Sequence, residues 1–151
     1  MRPHRALSGG NMEIDWQHVS PARKNKCMQM LGFLKRVAKR EKIEVLKIDF
    51  HPRHRPDCFD AETDFDEKRI TFCGAVDRIT ILHELAHLGT DQPHTRAWAE
   101  LLLSYHEKYL SADVRKRADR NIALNYGKGA TAYYRKYGKR VLRTIITLRS
   151  P

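Results

Sequence analysis

Five consecutive residues, His83-Glu84-Leu85-Ala86-His87, form the pattern HExxH. On a helix, side chains four residues apart project from one face, so the two imidazoles would lie about one turn apart. Two such nitrogens can share a cation, and zinc binds histidine at about 2.0 to 2.1 Å. The carboxylate of Glu84 could act as general base for a water molecule activated at the metal. The pattern therefore indicates metal-assisted hydrolysis.

A third ligand is needed, because a catalytic zinc site usually has three protein ligands and one position open for water. Trp98, Leu101 and Tyr105 form one stripe of the next predicted helix. The same spacing, extended backwards, reaches His94, which should face inward and supply the third nitrogen. The alternatives for the third ligand are the nearby residues Asp91, Glu100, His106 and Glu107. A separate pair, His51 and His54, could bind a metal ion adventitiously, but it lies in a loop rich in Pro and Arg, and we expect its role to be structural.

The segment from Val76 to Leu88 is apolar on nearly every side, which predicts a buried helix. Polar side chains on a buried helix need partners, and a metal ion would supply one for His83, Glu84 and His87. The alternative interpretation is that these three are hydrogen-bonded polar residues on a partly exposed helix.

The order of the predicted elements indicates an α+β fold with a small antiparallel sheet. Ser20 and Pro21 begin a helix that runs to about Arg40, with Cys27, Leu31, Leu34 and Ala38 on its apolar stripe. Strands are predicted at residues 43–50, 58–63 and 68–74, followed by the HExxH helix over residues 76–88. Gly89 is expected to end that helix, and Pro93 to begin the next one.

The chain of 151 residues fits one folded domain with two flanking segments. We predict a flexible N-terminal segment (residues 1–19), a folded domain that carries the HExxH residues (20–112) and a basic C-terminal extension (113–151). Within the domain, the strand Arg69–Gly74 leads into the HExxH helix. As an edge strand beside the metal, it could hold an extended peptide by main-chain hydrogen bonds.

The three cysteines, Cys27, Cys58 and Cys73, are odd in number and include no CxxC pair. This spacing argues against a disulfide framework and a cysteine zinc ribbon, so each is expected to be a buried or free thiol. Neither a secretory signal nor a membrane span is evident, and we expect a cytoplasmic, monomeric protein that does not contact membranes.

The basic charge of the chain is concentrated near its C-terminus. Residues 115–151 contain eleven Lys and Arg and one acidic residue, Asp119, so this segment carries +10 of the net charge of +11. Four tyrosines between positions 126 and 137 are interleaved with cations, a mixture that suits single-stranded or frayed DNA. The predicted contacts are Arg135, Lys136, Lys139, Arg140 and Arg143. The alternative is an end that solubilises the protein or packs on its domain.

The residues from Ile81 to His87, followed by a short loop and His94-Thr95-Arg96-Ala97-Trp98, resemble the SprT-like (Spartan-like) zinc metallopeptidases. In that family, the HExxH helix is followed by a histidine in an HGxxF or HGxxW setting, with Thr95 here in place of the glycine. The resemblance covers about residues 43–109. It implies a zincin-like fold, Zn²⁺ as the cofactor, His83, His87 and His94 as ligands, and Glu84 as catalytic acid/base.

The resemblance also implies a zinc-dependent endopeptidase that acts on protein or peptide substrates, including proteins associated with DNA. Two alternatives remain open at this point. One is a nucleic-acid-binding protein whose zinc site is structural or vestigial. The other is a regulator-cleaving protease similar to the ImmA/IrrE type, in which an acidic residue would replace His94 as a ligand.

Overall fold

Residues 11–51 and 60–126, which this computed structural model describes, form four helices and four strands. In chain order these are β1 (Glu13–Ile14), α1 (Pro21–Glu41), β2 (Lys47–Phe50), β3 (Ala61–Asp64), β4 (Arg69–Phe72), α2 (Arg78–Thr90), α3 (Arg96–Tyr109) and α4 (Ala112–Tyr126). The prediction of an α+β fold is confirmed. None of the helices in these ranges is long and apolar enough to cross a membrane.

The four strands form one mixed sheet in the order β1-β2-β4-β3. β2 runs parallel to both β1 and β4, and only the β3–β4 pair is antiparallel. The prediction of an antiparallel sheet is therefore wrong for β2. A short turn forces β3 and β4 into a hairpin, whereas the ten residues that separate Phe50 from Ala61 allow β3 to lie beyond β4.

The N-terminal part of the described chain belongs to the sheet. Glu13 and Ile14 pair with Lys47 and Ile48, so the prediction of a flexible segment over residues 1–19 does not hold for β1. A strand of two residues is too short to produce a periodic pattern that sequence reasoning could detect.

The sheet has one apolar face, which packs into the core. Ile48 and Phe50 in β2 alternate with polar residues, as do Ile70 and Phe72 in β4, and all four apolar side chains are buried. On the opposite face, Arg69 lies within ion-pair distance of three carboxylates, those of Asp49, Asp64 and Glu67. The alternation fixes which side of the sheet faces the helices.

Helix α1 begins as predicted, with Ser20 at the N-cap and Pro21 in the first turn. Its predicted apolar stripe is buried, and Cys27 on it is a free thiol. Cys73, by contrast, is disulfide-bonded, so the expectation of a free thiol is wrong for this residue. A disulfide depends on the distance between two Cα atoms in the fold, which sequence spacing does not reveal. Cys58 lies outside the described residues.

Helix α2 is the buried helix that the sequence predicts. The Asp77 carboxylate caps it by accepting a hydrogen bond from the Thr80 backbone N–H at 2.8 Å. Ile81, Leu82 and Leu85 are completely buried. This helix carries the HExxH residues, so their side chains are fixed by the packing around it.

Gly89 does not end α2, which continues to Thr90 and is capped by Asp91 in a left-handed conformation. A Cβ at position 89 would lie 2.9 Å from Cδ2 of Leu101 and 3.1 Å from the Tyr105 hydroxyl. The glycine therefore allows close approach of α3, and the expectation that it terminates the helix is wrong.

Pro93 does not begin α3. The helix starts at Arg96, and the Thr95 hydroxyl accepts a hydrogen bond from the Trp98 backbone N–H at 3.4 Å. The Thr95 hydroxyl thus satisfies one of the backbone donors of the first turn, and the cap fixes the start of the helix three residues after Pro93.

Helix α4 contains the first part of the predicted C-terminal extension and packs on α3. Ala118 and Ile122 are buried, and Nδ1 of the buried His106 donates a hydrogen bond to Asp119 at 2.9 Å. Residues 113–126 thus belong to a helix attached to the core, while 127–151 lie outside the described residues.

The His106–Asp119 contact should be necessary for the attachment of α4. We expect Asp119→Ala to lower the free energy of unfolding by about 2 kcal/mol, because it leaves a buried imidazole donor without its acceptor. Urea unfolding measures the change, with the exposed Arg117→Ala on the same helix as the control. Equal destabilisation by the two variants would contradict the role assigned to the contact.

Candidate metal centre

The structure brings the three predicted histidines together. Nε2 of His83 lies 3.0 Å from Nε2 of His94 and 3.2 Å from Nε2 of His87. His83 and His87 project from one face of α2, whereas His94 lies in the loop just before the N-cap of α3. These three residues could hold a metal ion.

Two of the separations between the ligand nitrogens, those from His83 to His87 and to His94, fit a metal ion. Two ligands at about 2.05 Å from a tetrahedral ion are about 3.3 Å apart. The two measured separations, 3.0 and 3.2 Å, are slightly shorter. Each of these two pairs would need to separate by only a few tenths of an ångström to hold an ion.

The three imidazoles are neutral at neutral pH. Burial is the main cause, and it lowers the pKa of His83 to about 2 and that of His94 to about 4. The neighbouring imidazoles add to both shifts, and burial also lowers the pKa of His87. A metal ligand requires a lone pair, and neutral imidazole has one. Burial therefore keeps the three histidines in the form that can bind a metal ion.

A backbone carbonyl sets the tautomer of one ligand. Nδ1 of His87 donates a hydrogen bond to the carbonyl oxygen of Gln92 at 2.8 Å. With the proton on Nδ1, the lone pair is on Nε2, the nitrogen that faces His83. Gln92 belongs to the loop between α2 and α3, so the loop that positions His94 also orients His87.

Trp98 packs against all three imidazoles. Its ring centroid lies 4.7, 5.1 and 4.6 Å from those of His83, His87 and His94, and it stacks on His87. Its indole N–H donates to the His83 carbonyl oxygen at 3.3 Å, and the side chain is completely buried. The sequence placed Trp98 on the apolar stripe of α3, and the structure adds that it fixes the ligand rings.

Glu84 is the buried carboxylate of the centre. Its Oε1 lies 3.9 Å from Nε2 of His83, and its Oε2 accepts a hydrogen bond from the Thr63 hydroxyl at 2.6 Å. Burial raises the pKa of Glu84 to about 7, and the charges of Glu62 and Asp60 add to the shift, while the Thr63 hydrogen bond opposes it. The carboxyl can therefore gain and lose a proton near neutral pH.

Sequence reasoning missed Thr63. This residue lies in β3 and reaches α2 only because the β3–β4 hairpin packs over that helix. The sequence did carry one signal, since Thr63 alternates with the exposed Glu62 and should therefore point inward. That alternation could not show that Thr63 contacts Glu84.

The strand at the hairpin edge of the sheet is β3 and not β4, the strand that directly precedes the HExxH helix in sequence. β4 has neighbours on both sides, so the hypothesis that Arg69–Gly74 is an edge strand is wrong. β3 forms this edge of the sheet built by the described residues. The Phe65 ring, which follows β3, lies 6.1 Å from that of His87. An open pocket of about 350 Å³ follows the strand and is lined by Glu62, Thr63, Asp64, Phe65, Asp66, Arg69 and Thr71.

The alternative third ligands have other contacts. Asp91 caps α2, Glu100 pairs with Arg96 at 2.8 Å, and His106 bonds Asp119. Glu107 is exposed, and none of the four belongs to the cluster found in the described residues. His54 and the predicted DNA contacts lie outside those residues.

Comparison with protein-family models, with curated proteins and with solved structures finds no match to this chain. The functional interpretation therefore depends on the geometry and chemistry of the metal centre.

Metal content should depend on His94. We expect about one divalent ion per purified chain and loss of that ion on dialysis of His94→Ala, since two imidazoles bind more weakly than three. Elemental mass spectrometry measures the ratio, with His18→Ala at an exposed position as the control. A wild-type chain that takes up no ion even after metal is added would contradict the assignment.

The pKa of Glu84 predicts how pH affects the metal-free protein. A pKa that rises from 4.5 to about 7 on folding gives stability that is present below about pH 4.5 and lost as the pH rises through about 7. We therefore expect Glu84→Gln to be more stable than wild type near pH 8, by up to about 3 kcal/mol. The difference should vanish near pH 4.5.

Urea unfolding of the chelated protein at both pH values measures this difference. Glu44→Gln, at an exposed position, is the matched control and should show no pH-dependent gain. An equal effect of Glu84→Gln at the two pH values would show that the carboxyl titrates normally.

Proposed function

We propose that this chain is a zinc-dependent endopeptidase of SprT-like type with a zincin-like fold. The observation that carries the proposal is the convergence of three neutral imidazole nitrogens beside a buried carboxylate, Glu84. HExxH supplies two of those nitrogens and the carboxylate, and His94 supplies the third. Together they form the donor set of a hydrolytic zinc site with one position left open.

Zinc is the metal that this donor set favours. Neutral imidazole suits zinc, and three protein nitrogens with an open position are typical of catalytic zinc sites. Zinc, when bound, would polarise a substrate carbonyl and lower the pKa of water. His83, His87 and His94 would hold it, while Trp98 and the Gln92 carbonyl keep the rings in place.

Glu84 would carry the proton during hydrolysis. As a carboxylate it accepts a proton from the attacking water, and as a carboxylic acid it returns that proton to the leaving amine. A pKa of about 7 suits both steps at neutral pH. The Thr63 hydroxyl holds one carboxylate oxygen, which leaves the other for the reaction.

The edge of β3 would hold the peptide. An edge strand has backbone groups that can pair with an extended chain, and Thr63 on this strand contacts Glu84. A peptide paired with β3 would therefore run beside the metal centre. The partner class is a protein or peptide, including DNA-associated proteins recruited by the basic C-terminal residues.

Glu84→Gln should abolish cleavage while the metal stays bound. We expect a loss of about 100- to 10,000-fold in kcat, the range for removal of a general base. Degradation of an unfolded protein and of mixed fluorogenic peptides by the zinc-loaded chain measures it, with and without DNA. Metal content is measured on the same samples, and Glu44→Gln is the control.

The outcomes separate the proposed activity from its alternatives. Undiminished cleavage by Glu84→Gln would overturn the role of this residue. A zinc-loaded wild type that cleaves nothing would favour the nucleic-acid-binding alternative with a structural zinc site. Cleavage at the same rate with and without DNA would favour a regulator-cleaving protease. The cluster in the described residues, however, contains no acidic ligand of the kind that this alternative requires.

A further inference from the structure

Helix α1 has a strongly basic outer face that the metal centre does not use. Its only acidic residue is Glu41, at its end. The exposed cations on this face are Lys24, Lys35, Arg36, Lys39 and Arg40. The helix is 21 residues long, so the face extends over about 30 Å.

The basic face of α1 is not apparent from the net charge of the chain. Residues 1–114 carry a net charge of only +1, because acidic residues elsewhere balance the cations of α1. Many of those acids lie around the β3–β4 hairpin, where residues 60–67 include five acidic side chains and no cation. The fold thus separates a basic surface on α1 from an acidic one near the metal centre.

The cations on α1 repel one another. Lys35 and Lys39 are four residues apart, as are Arg36 and Arg40, and like charges at this spacing destabilise a helix. No described acidic side chain pairs with Lys35, Arg36 or Lys39. A polyanion bound to this face would relieve the repulsion.

Gly32 lies in the middle of this basic face. Glycine inside a helix is less favourable than alanine, yet intramolecular packing does not require it here. An added Cβ would meet only the Arg36 guanidinium, at an ordinary distance of 3.6 Å, and no glycine among the described residues has a positive φ. A missing side chain at this position instead lets an external partner approach the helix backbone closely.

The residues around Gly32 match the chemistry of DNA. Asn25, Gln29, Gly32 and Arg36 follow helical spacing and form one stripe, in which Gly32 is half-buried and the other three are exposed. Amide and guanidinium groups bond base edges and phosphates, and the flanking lysines neutralise phosphates. An anionic membrane fits less well, because the apolar side of α1, including Leu31 and Leu34, is buried in the core.

We infer that the outer face of α1 binds double-stranded DNA, with Gly32 at the point of closest approach. B-form DNA has a major groove wide enough for a helix, whereas the deep, narrow groove of A-form RNA excludes one. The residues of this surface include none of the predicted C-terminal contacts and no metal ligand.

The test is binding of the full-length chain to a labelled duplex of about 20 base pairs over a range of salt concentrations. Removal of two phosphate contacts by Lys35→Gln with Lys39→Gln should weaken binding roughly tenfold. It should also reduce the slope of log K against log salt by about 2. Arg96→Gln with Lys108→Gln, on α3, removes the same charge and should change neither quantity appreciably.

A second variant tests the role of Gly32 without a change in charge. Gly32→Gln should weaken duplex binding, because the new side chain would occupy the space into which the DNA fits. The melting temperature should stay the same or rise, because glycine is the less favourable residue inside a helix. A purely intramolecular role for the glycine predicts the opposite, with reduced stability and unchanged binding.

Three results would overturn the inference. They are an unchanged salt slope in the Lys35/Lys39 variant, equal loss of binding in the α3 control, and stronger binding to vesicles of anionic phospholipid than to duplex. Chelation of metal should leave duplex binding intact, and the assay measures no cleavage. A failure of the inference is therefore distinguishable from a failure of the proposed peptidase activity.

Discussion

The close packing of α2 against α3 is the constraint on which the metal centre depends. His83 and His87 lie on α2, and His94 lies in the loop just before α3, so the distance between the ligands is set by how closely the two helices approach. Gly89 permits that approach, because a Cβ there would lie 2.9 Å from Leu101. Trp98 then packs against all three imidazole rings and fixes their orientation. The centre is thus part of the packing of the core.

Burial shifts the pKa values of the imidazoles and of the Glu84 carboxyl in opposite directions. It lowers the pKa of His83 to about 2 and raises the pKa of Glu84 to about 7, because in each case the charged form loses its hydration. The imidazoles consequently keep their lone pairs, and the carboxyl can exchange a proton near neutral pH. One physical cause therefore prepares both the ligands and the base.

The sequence predicted the parts of this centre that depend on local spacing. The four-residue separation of His83 and His87 follows from helical periodicity. The stripe of α3 pointed to His94, but this residue lies in the loop before the helix, where helical spacing does not apply. Contacts between distant segments were not predictable in this way. The Thr63 hydrogen bond to Glu84 depends on the position of β3, which the sequence did not reveal. Gly89 was misread because a glycine near a helix end can either terminate the helix or admit a neighbour, and only the packing of α3 decides.

The basic outer face of α1 and the acidic residues around the β3–β4 hairpin would attract different partners. Asp60 and Glu62, which help to raise the pKa of Glu84, also repel a polyanion from the β3 edge. The cations of α1 attract such a polyanion to a different element. DNA bound to α1 would therefore leave β3 accessible to a peptide. A basic peptide segment, of the kind found in DNA-bound proteins, would be drawn to the acidic edge beside Glu84 by the same field.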